Sequence, residues 1–95
     1  MNTSLKRPIT AEEIETFDSD GVVMLKQMFD ADWIALLDKG LSDSMTAPTD
    51  RSRVWDRDEA GRAVYYDSQA WTRIEEYRQF VVDSPCAEIA GRLLR

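Results

Sequence analysis

Apolar positions along the chain follow two different periods. Ile14 and Phe17 stand three apart behind Thr10 and Glu13, the spacing of a capping box, and Ile9 with Ile14 has the spacing of a hydrophobic staple. This predicts a helix over 10–18 that ends before Gly21 and, being short, depends on packing. Val22, Val23, Met24 and Leu25 then form an unbroken apolar run. The β-branched pair suits a pleated surface, and the lack of alternation predicts a strand over 21–27 covered on both faces. Four apolar residues also fit one turn of buried helix; Gly21 and the short length favour the strand.

Helical spacing returns after Asp30, an N-cap flanked by Phe29 and Ile34 in staple geometry. Ile34, Leu37 and Leu41 define the apolar face of a helix over 31–44, with Trp33 and Met45 beside or beyond it. Gly40 in its interior costs up to ~1 kcal/mol against alanine and leaves room for a close approach by another backbone. Between 45 and 66 the pattern dissolves into a polar loop punctuated by Pro48 and Gly61. Val54-Trp55 and Ala63 to Tyr66 are short β-like runs that "DRDEAG" can close into an irregular hairpin. Trp71, Ile74, Tyr77, Phe80 and Val81 predict a helix over 71–82. Ser84 as N-cap and Pro85 at the first helical position start another over 85–95, with Cys86, Ile89, Ala90, Leu93 and Leu94 on its apolar face. That pattern reaches Arg95 without a capping glycine and reads as an interrupted element. The expected class is α+β: one domain, mainly helical, with one or a few short strands.

Composition narrows the function classes. Ninety-five residues make one domain at most, and 43% hydrophobic residues with nine aromatics argue against disorder. The net charge of −6 disfavours nucleic acid and anionic membrane as partners. No apolar run approaches the ~20 residues of a membrane span. The start "MNTSLKRPITAEE" has no apolar core of a signal peptide, and the single Cys86 excludes an internal disulfide. A cytoplasmic protein is the expectation.

Candidate chemistry is sparse. Asp18, Asp20, Asp30 and Asp32 bracket the apolar run, but no D-x-D-x-D-G loop follows, and helix caps account for them. Arg51, Arg53, Arg57 and Arg62 interleave with Trp55, yet Asp50, Asp56, Asp58 and Glu59 nearly cancel their charge; a surface loop with local ion pairs is favoured over a base or phosphate clamp. Cys86 opens a helix, where the dipole favours thiolate, but no histidine exists to activate it, and a small buried side chain is expected. Ser84 reads as a cap.

The stretch "ITAEEIETFDSDGVVMLKQMFDADWIALLDKGL" resembles the opening of the phytanoyl-CoA dioxygenase family, with its "LTxEEIxxFxxDGVVxLxxxF" helix-strand and "DxxWIxxL" helix. "YYDSQAWTRIEEYRQFVVDSPCAEIAGRLL" resembles a later stretch of bacterial members, before the core barrel. Together they span Ile9 to Leu94. The resemblance implies a non-haem iron(II), 2-oxoglutarate-dependent oxygenase on a jelly-roll double-stranded β-helix. Such an enzyme hydroxylates an organic substrate with iron held by an HxD…H set and 2-oxoglutarate anchored by an arginine. It also implies a place for Trp55, Tyr65, Tyr66 and Trp71 near the substrate entrance, against core packing or a lid contact for each.

The chain has no histidine, so two imidazoles and a carboxylate cannot be gathered from it, and carboxylates alone suit Mg²⁺ or Ca²⁺ better than an open iron site. Catalytic, metal and cofactor residues are therefore expected to be none. The expectation is a truncated N-terminal cap region, inactive alone, with the 21–27 strand at the edge of a jelly-roll sheet and a small-molecule substrate only in a full-length parent. The alternative is a free-standing adaptor that dimerises or docks its strand edge on a protein partner.

Overall fold

Local capping fixes the first helix. In the computed structural model, which describes residues 1–47, 52–55, 59–60 and 64–95, Thr10 Oγ1 accepts from the Glu13 N–H at 3.1 Å and Glu13 Oε1 accepts from the Thr10 N–H at 2.9 Å. These reciprocal bonds open α1 (Ala11–Asp20). Arg7 forks onto both Glu13 oxygens at 2.8 Å. That contact first, and the Thr10 N–H second, draw the Glu13 carboxyl from 4.5 down to about 2. Gly21 closes the helix in the left-handed region, φ 76°, donating to the Phe17 carbonyl.

The strand expected over 21–27 is corrected. Residues 22–25 run without turn or bend, but no ladder partner lies beside them among the described residues. Nor are both faces covered: Val22 is 69% and Met24 75% exposed, while Val23 and Leu25 are half-buried. This is the period-two exposure of an extended segment packed on one side only. Lys26 and Gln27 turn the chain toward α2 (Ala31–Thr46).

Asp30 caps α2, its Oδ1 accepting from the Trp33 N–H at 3.3 Å. The N-terminus is tied to this cap: Asn2 donates its N–H to Asp30 Oδ2 at 2.8 Å, and the Trp33 indole donates to the Asn2 carbonyl at 2.6 Å. The buried face of α2 differs from the expected one. Trp33, Gly40 and Ser44 are buried, while Ile34 and Leu41 are exposed. The small Gly40 lets α3 (Glu75–Asp83) approach, so the contact stripe turns away from Ile34 and Leu41. What comes close to Gly40 is side chain, not backbone. A Cβ there would lie 2.9 Å from Tyr77 Cε1 and 3.1 Å from Glu76 Cβ. Gly40→Ala is therefore expected to destabilise the protein by about 1 kcal/mol: overpacking costs about 2 and helix propensity returns about 1. Urea denaturation checks this, and a stabilised variant would show that α3 yields freely.

Ser52–Trp55 (β1) and Val64–Asp67 (β2) pair antiparallel, Ser52 opposite Asp67 and Trp55 opposite Val64. The hairpin expected within 45–66 thus has two four-residue arms; most of the connecting "DRDEAG" lies outside the described residues. The helix expected over 71–82 divides into a 3₁₀ turn, Ala70–Thr72, and α3. Ile74 at the break is extended, which leaves Trp71 half exposed in the turn. α4 (Cys86–Leu94) follows, with Ser84 Oγ accepting the Cys86 N–H at 3.2 Å. The Cys86 side chain, expected to be buried, is exposed at the open start of the helix, although it shares a face with half-buried Ile89 and Leu93.

The fold is thus helix-rich α+β with a thin core. Met28, Trp33 and Ala70 are its buried hydrophobic residues among those described, and Phe80 makes ring contacts with Phe29 at 5.2 Å and Trp33 at 5.6 Å. The radius of gyration is 15.8 Å, against about 12 Å for a compact chain of this length. Among the described residues no helix is long and apolar enough to cross a membrane.

Candidate functional site

Of the aromatic residues expected near a substrate entrance, Tyr65 and Tyr66 do not share a face. Side chains alternate along β2, so Tyr65 and Tyr66 project from opposite faces. Tyr65 is half-buried toward α2, whereas Tyr66 is half exposed beside an exposed Val64. Trp71 is half exposed in the 3₁₀ turn. Trp55 occupies the register position opposite Val64, and its side chain lies outside the described residues. Neither Tyr65, Tyr66 nor Trp71 lines the groove in the N-terminal half, which runs between α1 and residues 23–24 and includes Arg7, Thr10, Glu12 and Glu13.

The polar centre of the molecule surrounds Asp67, which composition and spacing did not single out. The register of β2 puts Asp67 on the same face as Tyr65, against the end of α2. Its Oδ2 accepts from Ser44 Oγ at 2.8 Å and from the Arg73 guanidinium. The Tyr65 hydroxyl donates to the Ser44 carbonyl at 3.0 Å and lies 2.9 Å from Ser44 Oγ and 3.3 Å from Ser52 Oγ. Ser44 is fully buried, and the Asp67 side chain is 4% exposed. Burial raises the Asp67 carboxyl, but Arg73 first and Ser44 second outweigh it and hold the group below its ordinary 3.8. Burial, reinforced by the charges of Tyr65 and Asp67, pushes the nearby Tyr77 phenol up. Asp67 Oδ1 is buried with no hydrogen-bond partner among the described residues.

Chemically this cluster is a pin. A carboxylate held at low pKa by an arginine is a weak base, and Ser44 has no imidazole to activate it. It joins α2, β2 and the 3₁₀ turn, three elements that share little apolar contact. Of its members the sequence singles out Tyr65 alone, as an aromatic residue.

The iron centre implied by the resemblance does not fit this chain. Its donor set lacks histidine, and among the described residues no three Cys, Asp or Glu side chains gather where an ion would sit. Compared with known protein families, curated proteins and solved structures, the chain matches none of them.

Proposed function

We propose that the chain is the N-terminal, non-catalytic part of a phytanoyl-CoA dioxygenase-like, iron(II)/2-oxoglutarate-dependent oxygenase, a helical buttress whose apolar surface is covered by a jelly-roll core. The reading rests on the two stretches within Ile9–Leu94 that resemble that family. The structural observation that carries the buttress role is the imbalance of apolar surface. Among the described residues three hydrophobic side chains are buried, while Val22, Met24, Val81, Val82 and Leu94 are among those at least half exposed. That much exposed apolar side chain on so small a body supports a docking role. Iron and 2-oxoglutarate belong to the full-length enzyme, not to these residues.

The experiment is an anaerobic titration of the 95-residue chain with iron(II) and 2-oxoglutarate. No metal-to-ligand charge-transfer band is expected; such a band, or succinate production by the chain alone, overturns the reading. A second reading, a free-standing adaptor that dimerises or docks on a protein partner, is favoured by the closed network that ties Asn2, Asp30 and Trp33 together. Light scattering with thermal melting separates the two. A stable dimer supports the adaptor, and a folded monomer supports the buttress.

A further inference from the structure

We propose that residues 22–25 are the acceptor edge for one added β-strand, and that this strand carries a Lys or Arg where it passes α1. The inference deepens the docking role proposed above by naming what docks, and it rests on that reading.

Four observations carry it. The segment is extended, yet no hydrogen bond joins its backbone to any other described residue; an extended backbone with open donors and acceptors is a template for strand addition. Its side chains already have strand character, Val22 and Met24 outward and Val23 and Leu25 inward. An added strand with apolar residues at alternate positions would cover the outward pair. The segment is also held in place at both ends. Gly21 closes α1 before it, and after it Arg7, while forked onto Glu13, donates from Nε to the Lys26 carbonyl at 3.0 Å. A strand that is already fixed loses little entropy on pairing.

The fourth observation is charge. A groove runs between this segment and α1, lined by Arg7, Glu12, Glu13, Thr16, Val23 and Met24. α1 carries five acidic residues and no basic one. Glu13 is satisfied by Arg7, and Asp18 pairs with Arg95 at 2.6 Å. Glu12, Glu15 and Asp20 remain exposed on it. A second copy of the chain would bring the same acidic helix and a net charge of −6 to this edge. An extended segment with a basic side chain meets complementary charge instead.

The test uses the ¹⁵N-labelled 95-residue chain and the probe peptide acetyl-Lys-Val-Thr-Val-Arg-Val-amide. Amide shifts centred on residues 22–25 are expected, with a Kd at or below about 1 mM. Binding is expected to weaken at least about threefold when glutamate replaces both basic residues of the probe. Successive strand N–H groups point to opposite edges, so one of Val23→Pro and Met24→Pro should abolish the shifts while Trp33 signals stay in place. Any one of four results overturns the proposal: no shift at about 5 mM probe, shifts elsewhere, equal binding of the acidic probe, or a dimer dispersed by either proline variant. None of these bears on the iron titration, so the two proposals fail separately.

Discussion

Trp33→Ala is expected to leave the protein largely unfolded at room temperature. The indole is 1% exposed, packs edge-on to Phe80 at 5.6 Å, and donates at 2.6 Å to the Asn2 carbonyl. Removing a buried tryptophan costs about 3–5 kcal/mol. A domain of this length holds roughly 5–14 kcal/mol in total, and one with three buried hydrophobic residues sits at the low end. Loss therefore approaches the whole. The cost is not only volume: Asn2 also meets the Asp30 cap and the Met28 carbonyl, so the N-terminal segment loosens together with the helix start. Trp33→Phe keeps a ring against Phe80 and forfeits the indole bond, so a loss of about 1–2 kcal/mol is expected. Urea denaturation followed by far-UV circular dichroism reads both. An alanine variant that melts within about 4 °C of the parent would show that the aromatic cluster is not the core.

Elements specified by neighbours in the sequence were legible, and elements specified by distant partners were not. The Thr10–Glu13 box and the Asp30 cap depend on residues three positions away, so both helix starts could be read directly. The buried face of α2 could not. Its pattern puts Ile34 and Leu41 inward, but the helix turns Gly40 to the space α3 needs and Ser44 to the polar residues of β2. Residues 22–25 look like a doubly covered strand because Val22 and Met24 are apolar, yet cover depends on a partner strand that periodicity cannot supply. The same holds for the candidate site. Tyr65 was noticed as an aromatic residue. Its bond to Ser44, 21 positions away, follows only from the hairpin register and the packing of the 3₁₀ turn. The entrance role for Tyr65, Tyr66 and Trp71 treated nearby aromatics as one surface, whereas strand alternation separates the two tyrosines.

Arg73→Met is expected to destabilise the protein more than Asp67→Asn, and to reverse the response of this site to acid. The pair is asymmetric: the Asp67 side chain is 4% exposed and that of Arg73 30%. Removing the guanidinium leaves a buried carboxylate with Ser44 as its principal donor, and Oδ1 is already without one. Partial exposure reduces the usual cost of breaking a buried pair, so about 2–3 kcal/mol is expected. Asparagine removes the charge together with the need for its partner, and about 1 kcal/mol is expected. In the parent, the Asp67 carboxyl lies below its ordinary 3.8. Its contribution is therefore complete above about pH 4 and is lost as pH falls through the folded value. Without Arg73, burial dominates and the folded value rises above the unfolded one. Arg73→Met should then suffer most at neutral pH and recover, relative to the parent, as pH falls toward 4. Urea midpoints at pH 7 and pH 4 measure the sign. The double variant, Arg73→Met with Asp67→Asn, should be more stable than Arg73→Met alone at pH 7, because it no longer buries an unpaired charge. Equal pH dependence in all four proteins would mean that Asp67 is solvated in solution and that the pin between α2, β2 and the 3₁₀ turn does not form.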